Sequence, residues 1–225
     1  MVRRTKADAQ ATRSSLLDAA EHLFQAQGVS RTSLNDIATA AGTTRGAIYW
    51  HFKDKADLFN AMMERVSLPI EETLACRVRA TDAQTDALGA LRHSLLNALE
   101  KTALDDQTRR VFEVATHRVE YVPEMQAVRN RHLLVRNTCM DITRRALEQA
   151  GNQLGLTLPV PPHGAALGLH VLVDGLIQNW LLDPQAFDLV ACGQQAIDTY
   201  LRGLGFNLDG AQAPRQQAPA HAMPA

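Results

Sequence analysis

The chain has 225 residues, 46% hydrophobic and 21% charged, a composition that excludes disorder of the whole chain and leaves enough length for a sizeable core. Its formal net charge of −1 excludes a generic polyanion binder, yet residues 1–55 carry eight Lys/Arg against five Asp/Glu, so positive charge is gathered at the N-terminal end. Cys76, Cys139 and Cys192 are odd in number, far apart and without a CxxC pair, which excludes a disulfide framework and a zinc module and fits a reducing, cytoplasmic setting.

The apolar run 165–182 is interrupted by His170, Asp174, Gln178 and Asn179, so no membrane span is expected. All nine prolines lie at or after position 69, leaving the first 68 residues free of helix breakers. Leu16, Ala20, Leu23 and Phe24 follow helical spacing and Gly28 stands where a left-handed cap would stop the chain, which predicts a first helix over 8–27. Ser33 and Asp36 form a capping-box pair ahead of Leu34, Ile37, Ala38 and Ala41, predicting a second helix over about 33–41. Gly42 ends it, and Thr43 opens a short third helix whose buried side is Ala47, Ile48 and Phe52.

Asp54 caps a fourth helix running from Lys55 to the region of Ala80, with Pro69 placed to kink it. Helical patterns then follow over 85–103, 107–120, 124–150, 163–182 and 186–204, with 152–162 as the longest ordered loop. Strand alternation is absent, so the fold class is all-α, about nine helices, divided as 1–54, 55–208 and a tail 209–225. The tail is rich in Ala, Pro and Gln and is expected to be disordered.

The segment LNDIATAAGTTRGAIYWHF has the spacing of a DNA-binding helix-turn-helix: small Ala38 lets two helices approach, Gly42 makes the turn, and Ile48 plugs the space between them. The third helix would enter the major groove by its N-terminal turn. Arg45 can bond guanine O6 and N7 together, Thr43 and Thr44 can reach bases and phosphates, and Gly46 lets the backbone approach. Tyr49, His51 and Lys55 suit phosphate oxygens, while Phe52 and Trp50 are expected in the core. Arg3, Arg4 and Lys6 offer a basic arm for the minor groove or a solvated terminus.

TRGAIYWHFKDKADLF after LNDIATAAG resembles the signature of the TetR family of bacterial one-component regulators, and with MVRRTK and VDGLIQNWLLDP it is similar to the subgroup that represses multidrug efflux operons. The strong match covers about the first 65 residues. The resemblance implies an all-helical homodimer with a three-helix DNA-binding domain at the N-terminus and a helical ligand-binding and dimerisation domain behind it. Its DNA contacts fall on Ser33, Thr43, Thr44, Arg45, Tyr49, His51 and Lys55. It also implies a mostly apolar pocket for a small hydrophobic or aromatic effector, lined by Val66, Leu95, Phe112, Glu113, Thr116 and Cys139.

To these the sequence adds one face of the helix over 163–182, where His170, Val173, Asp174, Ile177 and Gln178 mix polar groups with apolar ones. Glu113 or Asp174 could instead cap a helix end or pair with an arginine, and Cys139 could be a packed thiol. The stripes Leu169, Leu172, Leu176, Trp180 and Ile197, Leu201, Leu204 are expected at a four-helix dimer interface, the alternative being that both pack inside one chain. His117, His132, His163 and His170 lack metal-ligand spacing, no nucleophile elbow or phosphate loop is present, and neither a cofactor nor an enzyme is expected. The rival to ligand-responsive repression is a DNA-binding organiser with no small-molecule inducer.

Overall fold

The computed structural model describes residues 6–79 and 86–208, with side chains from 73 to 79 left aside. The expected arm at Arg3 and Arg4, the Cys76 thiol and the tail 209–225 lie outside the described residues. Nine α-helices and no strand occur among the described residues: α1 (Lys6–Gln27), α2 (Leu34–Ala40), α3 (Arg45–His51), α4 (Lys55–Arg79), α5 (Ala87–Leu104), α6 (Asp106–His117), α7 (Gln126–Leu154), α8 (Pro162–Leu182) and α9 (Leu189–Gly203).

Local chemistry sets the boundaries. Asp86, Asp105 and Asp188 accept from the first-turn amides of α5, α6 and α9. The expected start of α9 at 186 moves to 189, because Asp188 Oδ1 takes the Val190 and Ala191 amides, both at 2.9 Å. The expected end of α6 at 120 moves back to His117. The chain then turns so that the Arg118 carbonyl accepts from Val29 N at 3.0 Å, and one 3-10 turn, Pro123–Met125, leads into α7. Proline at the head of that turn has no amide to leave unsatisfied. α4 continues through Pro69 as one helix.

Two apolar cores result. The first gathers Leu16, Phe24, Ile37, Ile48, Phe52, Leu58, Phe59 and Met62 with Val111, Val114, Met125 and Val128. It therefore does not stop at residue 54, but carries the N-terminal helices onto the front half of α4 and onto α6. The second gathers residues of α5, α7, α8 and α9, among them Leu91, Leu99, Leu147, Leu169, Trp180, Ile197 and Leu201. Phe112 on α6 packs against both. By length and a mean hydropathy of 1.3, α8 could cross a membrane, but Ala165, Ala166 and Leu169 on it are fully enclosed by protein.

A polar junction ties α1 to α4 and α6. Glu21 on α1 is 2% exposed and pairs with Arg65 of α4, while Gln107 Nε2 of α6 donates to its two oxygens at 3.1 and 3.3 Å. Arg65 also reaches Asp18 at 2.7 Å, and Arg110 lies 3.7 Å from Glu21. A buried carboxylate persists only with such partners.

Candidate functional site

The helix-turn-helix is assembled by its caps. Asp36 N donates to Ser33 Oγ at 3.1 Å and Ser33 N donates back to Asp36 Oδ2 at 2.9 Å, so the reciprocal box read from the sequence forms at the start of α2. The Ser33 hydroxyl and amide, both donating to Asp36, hold its carboxyl below the ordinary carboxylate range. Gly42 takes φ +65°, where a side chain would be strained, and Thr43 N returns to Ala38 O at 2.9 Å. The cap of α3 then falls on Thr44, one residue after the expected Thr43, its hydroxyl accepting from Ala47 N at 3.2 Å.

α3 is anchored chiefly by fully buried Ile48, which leaves Arg45, Gly46, Tyr49 and Trp50 facing out. The Arg45 guanidinium lies 5.8 Å from the Tyr49 ring centroid, a cation–π contact that extends it along the exposed face. A Cβ at Gly46 would meet nothing closer than Thr44 Oγ1 at 3.9 Å, so no internal contact requires glycine there. Thr43 and His51 are half-buried at the two ends of this surface, and the His51 ring meets the edge of Trp50 at 4.6 Å.

Two expectations change here. Trp50 is 73% exposed rather than in the core, because it stands two positions, roughly 200°, around the helix from Ile48; that spacing was the available signal. Phe52 is buried as expected, with Arg13 5.1 Å over its ring. Lys55 does not present a free ammonium: Nζ donates to the carbonyls of Val29 at 2.8 Å, Thr32 at 2.9 Å and Ser30 at 3.3 Å. It fastens the loop between α1 and α2, and burial there lowers its pKa.

A cavity of about 130 Å³ opens where α4, α7 and α8 meet. Phe59, Met63, Val128 and Val135 give it an apolar floor, with Asn60 and Ser67 beside them and Tyr121, Arg131, His132, Arg136, Cys139, His170 and Asp174 completing the wall. Of the expected ligand residues, Cys139, His170 and Asp174 come together here. Burial pushes the Cys139 thiol up to about 11, with Glu71 adding to the rise and Arg131 opposing it. Burial lowers the His170 pKa, against the pull of Asp174 and with the help of Arg136 and His132.

The other expected lining residues lie elsewhere. Val66 is in the first core, Leu95 and Ile177 pack on the second, Val173 is in the second, and Phe112 lies between the two. Glu113 accepts from Gln25 at 2.7 Å and pairs with Arg118 at 3.5 Å, the arginine pairing that was its alternative role. Thr116 bonds back to the Phe112 carbonyl at 2.6 Å, and Gln178 donates to Asp174 at 2.5 Å. Sequence reasoning missed the other ten: Phe59, Asn60, Met63, Ser67, Tyr121, Val128, Arg131, His132, Val135 and Arg136. The α7 members were within reach: stepping back from Cys139 in threes and fours gives Arg136, Val135, His132, Arg131 and Val128 on one face.

The residues of the two expected dimer stripes also make contacts inside the chain. Leu169, Ile197 and Leu201 are fully buried, Trp180 and Leu204 are 6% and 5% exposed, and Leu172 and Leu176 are half-buried against the second core, all within one chain. The packing of α8 on α7 and α9 uses that face. What α8 leaves outside is Leu167, Val171 and Leu182, at 42%, 58% and 70% exposure, with Gly164 and Gly175 open between them.

Comparison with known proteins places this geometry in a family. Residues 16–62 match the family model of bacterial regulatory proteins of the tetR family, and residues 86–206 match that of the C-terminal region of MAATS-type transcriptional repressors. The HTH-type transcriptional regulator TtgR of Pseudomonas putida is 38% identical over 201 residues, 89% of this chain and 95% of that protein. Among solved structures, NalD, the secondary repressor of the MexAB-OprM multidrug efflux pump in Pseudomonas aeruginosa, superposes with a TM-score of 0.80 at 34% identity over 88% of this chain and 97% of its own. SmeT, the repressor of the Stenotrophomonas maltophilia multidrug efflux pump SmeDEF, gives 0.77 in its complex with triclosan, at 31% identity over 96% of this chain and all of that one. With matches along nearly the whole chain, and an N-terminal helix-turn-helix ahead of a helical C-terminal region, this chain belongs to the TetR family of bacterial regulatory proteins.

Proposed function

We propose that this chain is a dimeric repressor of a multidrug efflux operon, released from its operator by a small apolar or aromatic compound. The observation that carries the reading is Phe59. It is 1% exposed in the core that holds the helix-turn-helix, and it also lines the cavity at the junction of α4, α7 and α8. A ligand in that cavity bears on α4 within two turns of the Lys55 end, where the chain has just left α3. The likeness to NalD and to SmeT bound to triclosan supports both the efflux operon and an aromatic effector.

In this reading residues 1–54 contact DNA, 55–208 hold ligand and dimer interface, and the protein works in the cytoplasm. Arg45 reads bases, with Thr43, Thr44, Gly46, Tyr49, Trp50 and His51 around it on bases and phosphates, and Ser33 holds the α2 terminus against the backbone. Lys55 acts by fixing the loop ahead of α2. The exposed α8 surface of Leu167, Val171 and Leu182 is the apolar part of the dimer face, and two chains joined there would set two copies of α3 about 34–36 Å apart, one turn of B-DNA. Effector binding favours a different spacing, and its differential affinity, typically ~1–3 kcal/mol per site, limits the loss of DNA affinity.

Fluorescence anisotropy of the purified protein on the intergenic DNA beside its own gene tests this, at fixed salt, with triclosan and a panel of aromatic compounds. Specific binding that a compound abolishes is the expected result. Specific binding that no compound changes favours an organiser without an inducer, and no specific binding overturns the DNA assignment for that site.

A further inference from the structure

Two pairs of residues spaced four apart, His132 and Arg136 on α7 and His170 and Asp174 on α8, contribute to the same cavity wall. That spacing puts each pair on one face of its helix. The other arginine of the wall, Arg131, is held by two carboxylates, Glu64 at 3.3 Å and Glu71 at 3.6 Å. Arg136 is held differently. Its Nε and Nη2 donate only to the neutral amide oxygen of Asn137, at 3.2 and 3.0 Å, and none of the ion pairs among the described residues includes it. A half-buried guanidinium has five donors, so donors remain for a further acceptor.

The acidic member of the wall, Asp174, is exposed, so water and salt screen its charge more than that of half-buried Arg136, and its Oδ2 accepts from Gln178 at 2.5 Å. His170, whose burial favours the neutral ring, adds a hydrogen-bonding group without adding a second full charge beside Arg136. The rest of the surface, Phe59, Met63, Val128 and Val135, is apolar, and a cavity near 130 Å³ matches the scale of one aromatic ring, with larger ligands extending through the open side.

We infer that the cavity selects a planar aromatic anion, a carboxylate or an ionised phenol, whose oxygens are received by Arg136 while its ring lies on Phe59, Met63 and Val135. This rests on the proposed effector role of the cavity and deepens it. A guanidinium offers a planar fork that matches a carboxylate, and a charge-assisted bond in a partly desolvated wall outweighs a neutral one.

Isothermal titration of the full chain at pH 7.5 with 2-naphthoate, 2-naphthamide and 2-naphthylmethylammonium compares three probes of one shape and different charge. The naphthoate binds at least about tenfold more tightly than the amide. Arg136→Gln weakens the naphthoate about tenfold and leaves the amide unchanged, Arg136→Lys restores part of the difference, and the melting temperature of both variants stays at that of the parent. Equal binding of acid and amide, preference for the ammonium, or an Arg136→Gln variant that weakens all probes alike overturns the inference while leaving the effector reading in place. Binding of none of the three overturns it too, and release from operator DNA then reports on the effector reading separately.

Discussion

Cys139 decides between a sensor and a packing role at the scale of a single atom. Its thiol is raised to about 11, first by burial, then by the Glu71 carboxylate, with Arg131 pulling the other way. Only the thiolate attacks an electrophile, so at pH 8 about one molecule in a thousand is reactive, against roughly a quarter for a free cysteine. Iodoacetamide should therefore modify Cys139 more slowly than free cysteine, on the order of a hundredfold, with the rate rising about tenfold per pH unit toward pH 11. Peptide mass mapping after timed alkylation measures this. A rate close to that of free cysteine at pH 8 would refute the packed role. The same reading by neighbours explains Glu113, whose bonds to Gln25 and Arg118 fasten α6 to α1 and to the turn after it instead of facing a ligand.

At the scale of elements, Arg45 and Lys55 stand on consecutive helices and do different work. Arg45→Ala removes an exposed side chain from the outer face of α3, so it should lower the preference for operator over random duplex by about 1–3 kcal/mol and leave the melting temperature within a degree or two. Lys55→Ala removes the ammonium from the carbonyls of Val29, Ser30 and Thr32, of which Val29 keeps only the Thr32 amide at 3.3 Å, so it should cost about 1–2 kcal/mol of stability and weaken binding to all DNA alike. Competition anisotropy and thermal denaturation of both variants separate the two. An unchanged melting temperature for Lys55→Ala would refute the fastening role. The elements themselves were legible because their signals are local: Gly28, Gly42, Ser33 with Asp36, and the periodicity of Leu16, Ala20 and Phe24 each act within one or two turns. The cavity was legible only in part. His170 and Asp174 announced themselves as polar groups among apolar ones and Cys139 came with the family resemblance, whereas Phe59 and Met63 look like any core residue until α4 is laid against α7. The α8 stripe was ambiguous for a related reason, since hydrophobic periodicity shows that a face is buried and not whether α9 of the same chain or another chain buries it.

At the scale of the whole molecule, two cores must move relative to each other for a ligand to change the spacing of recognition helices, and the contacts that cross between them set how far motion is transmitted. One crossing is apolar: Phe112 packs on both cores and Phe59 joins the first core to the cavity. A second link is polar and lies within the first core, tying α1 to α4 and α6: Glu21 on α1 bonds Arg65 on α4 and Gln107 on α6, reinforced by Gln25 with Glu113 and by Val29 N on the Arg118 carbonyl. A ligand that displaces α4 either carries α1 with it through Glu21 or breaks that junction. Glu21→Ala leaves Arg65 and Arg110 facing a vacated site, at a cost of about 3 kcal/mol, the low end for a broken buried pair because both guanidiniums are about a quarter exposed. Urea denaturation reads that loss. Held well below its melting temperature, the variant should still bind the operator, but the drop in DNA affinity caused by a saturating effector should shrink by about 1 kcal/mol, roughly fivefold. Anisotropy titrations with and without effector measure the two affinities on the same sample. Full stability loss with undiminished release would mean that Phe59 and Phe112 alone transmit the movement and that the polar junction serves only to hold α1 in place.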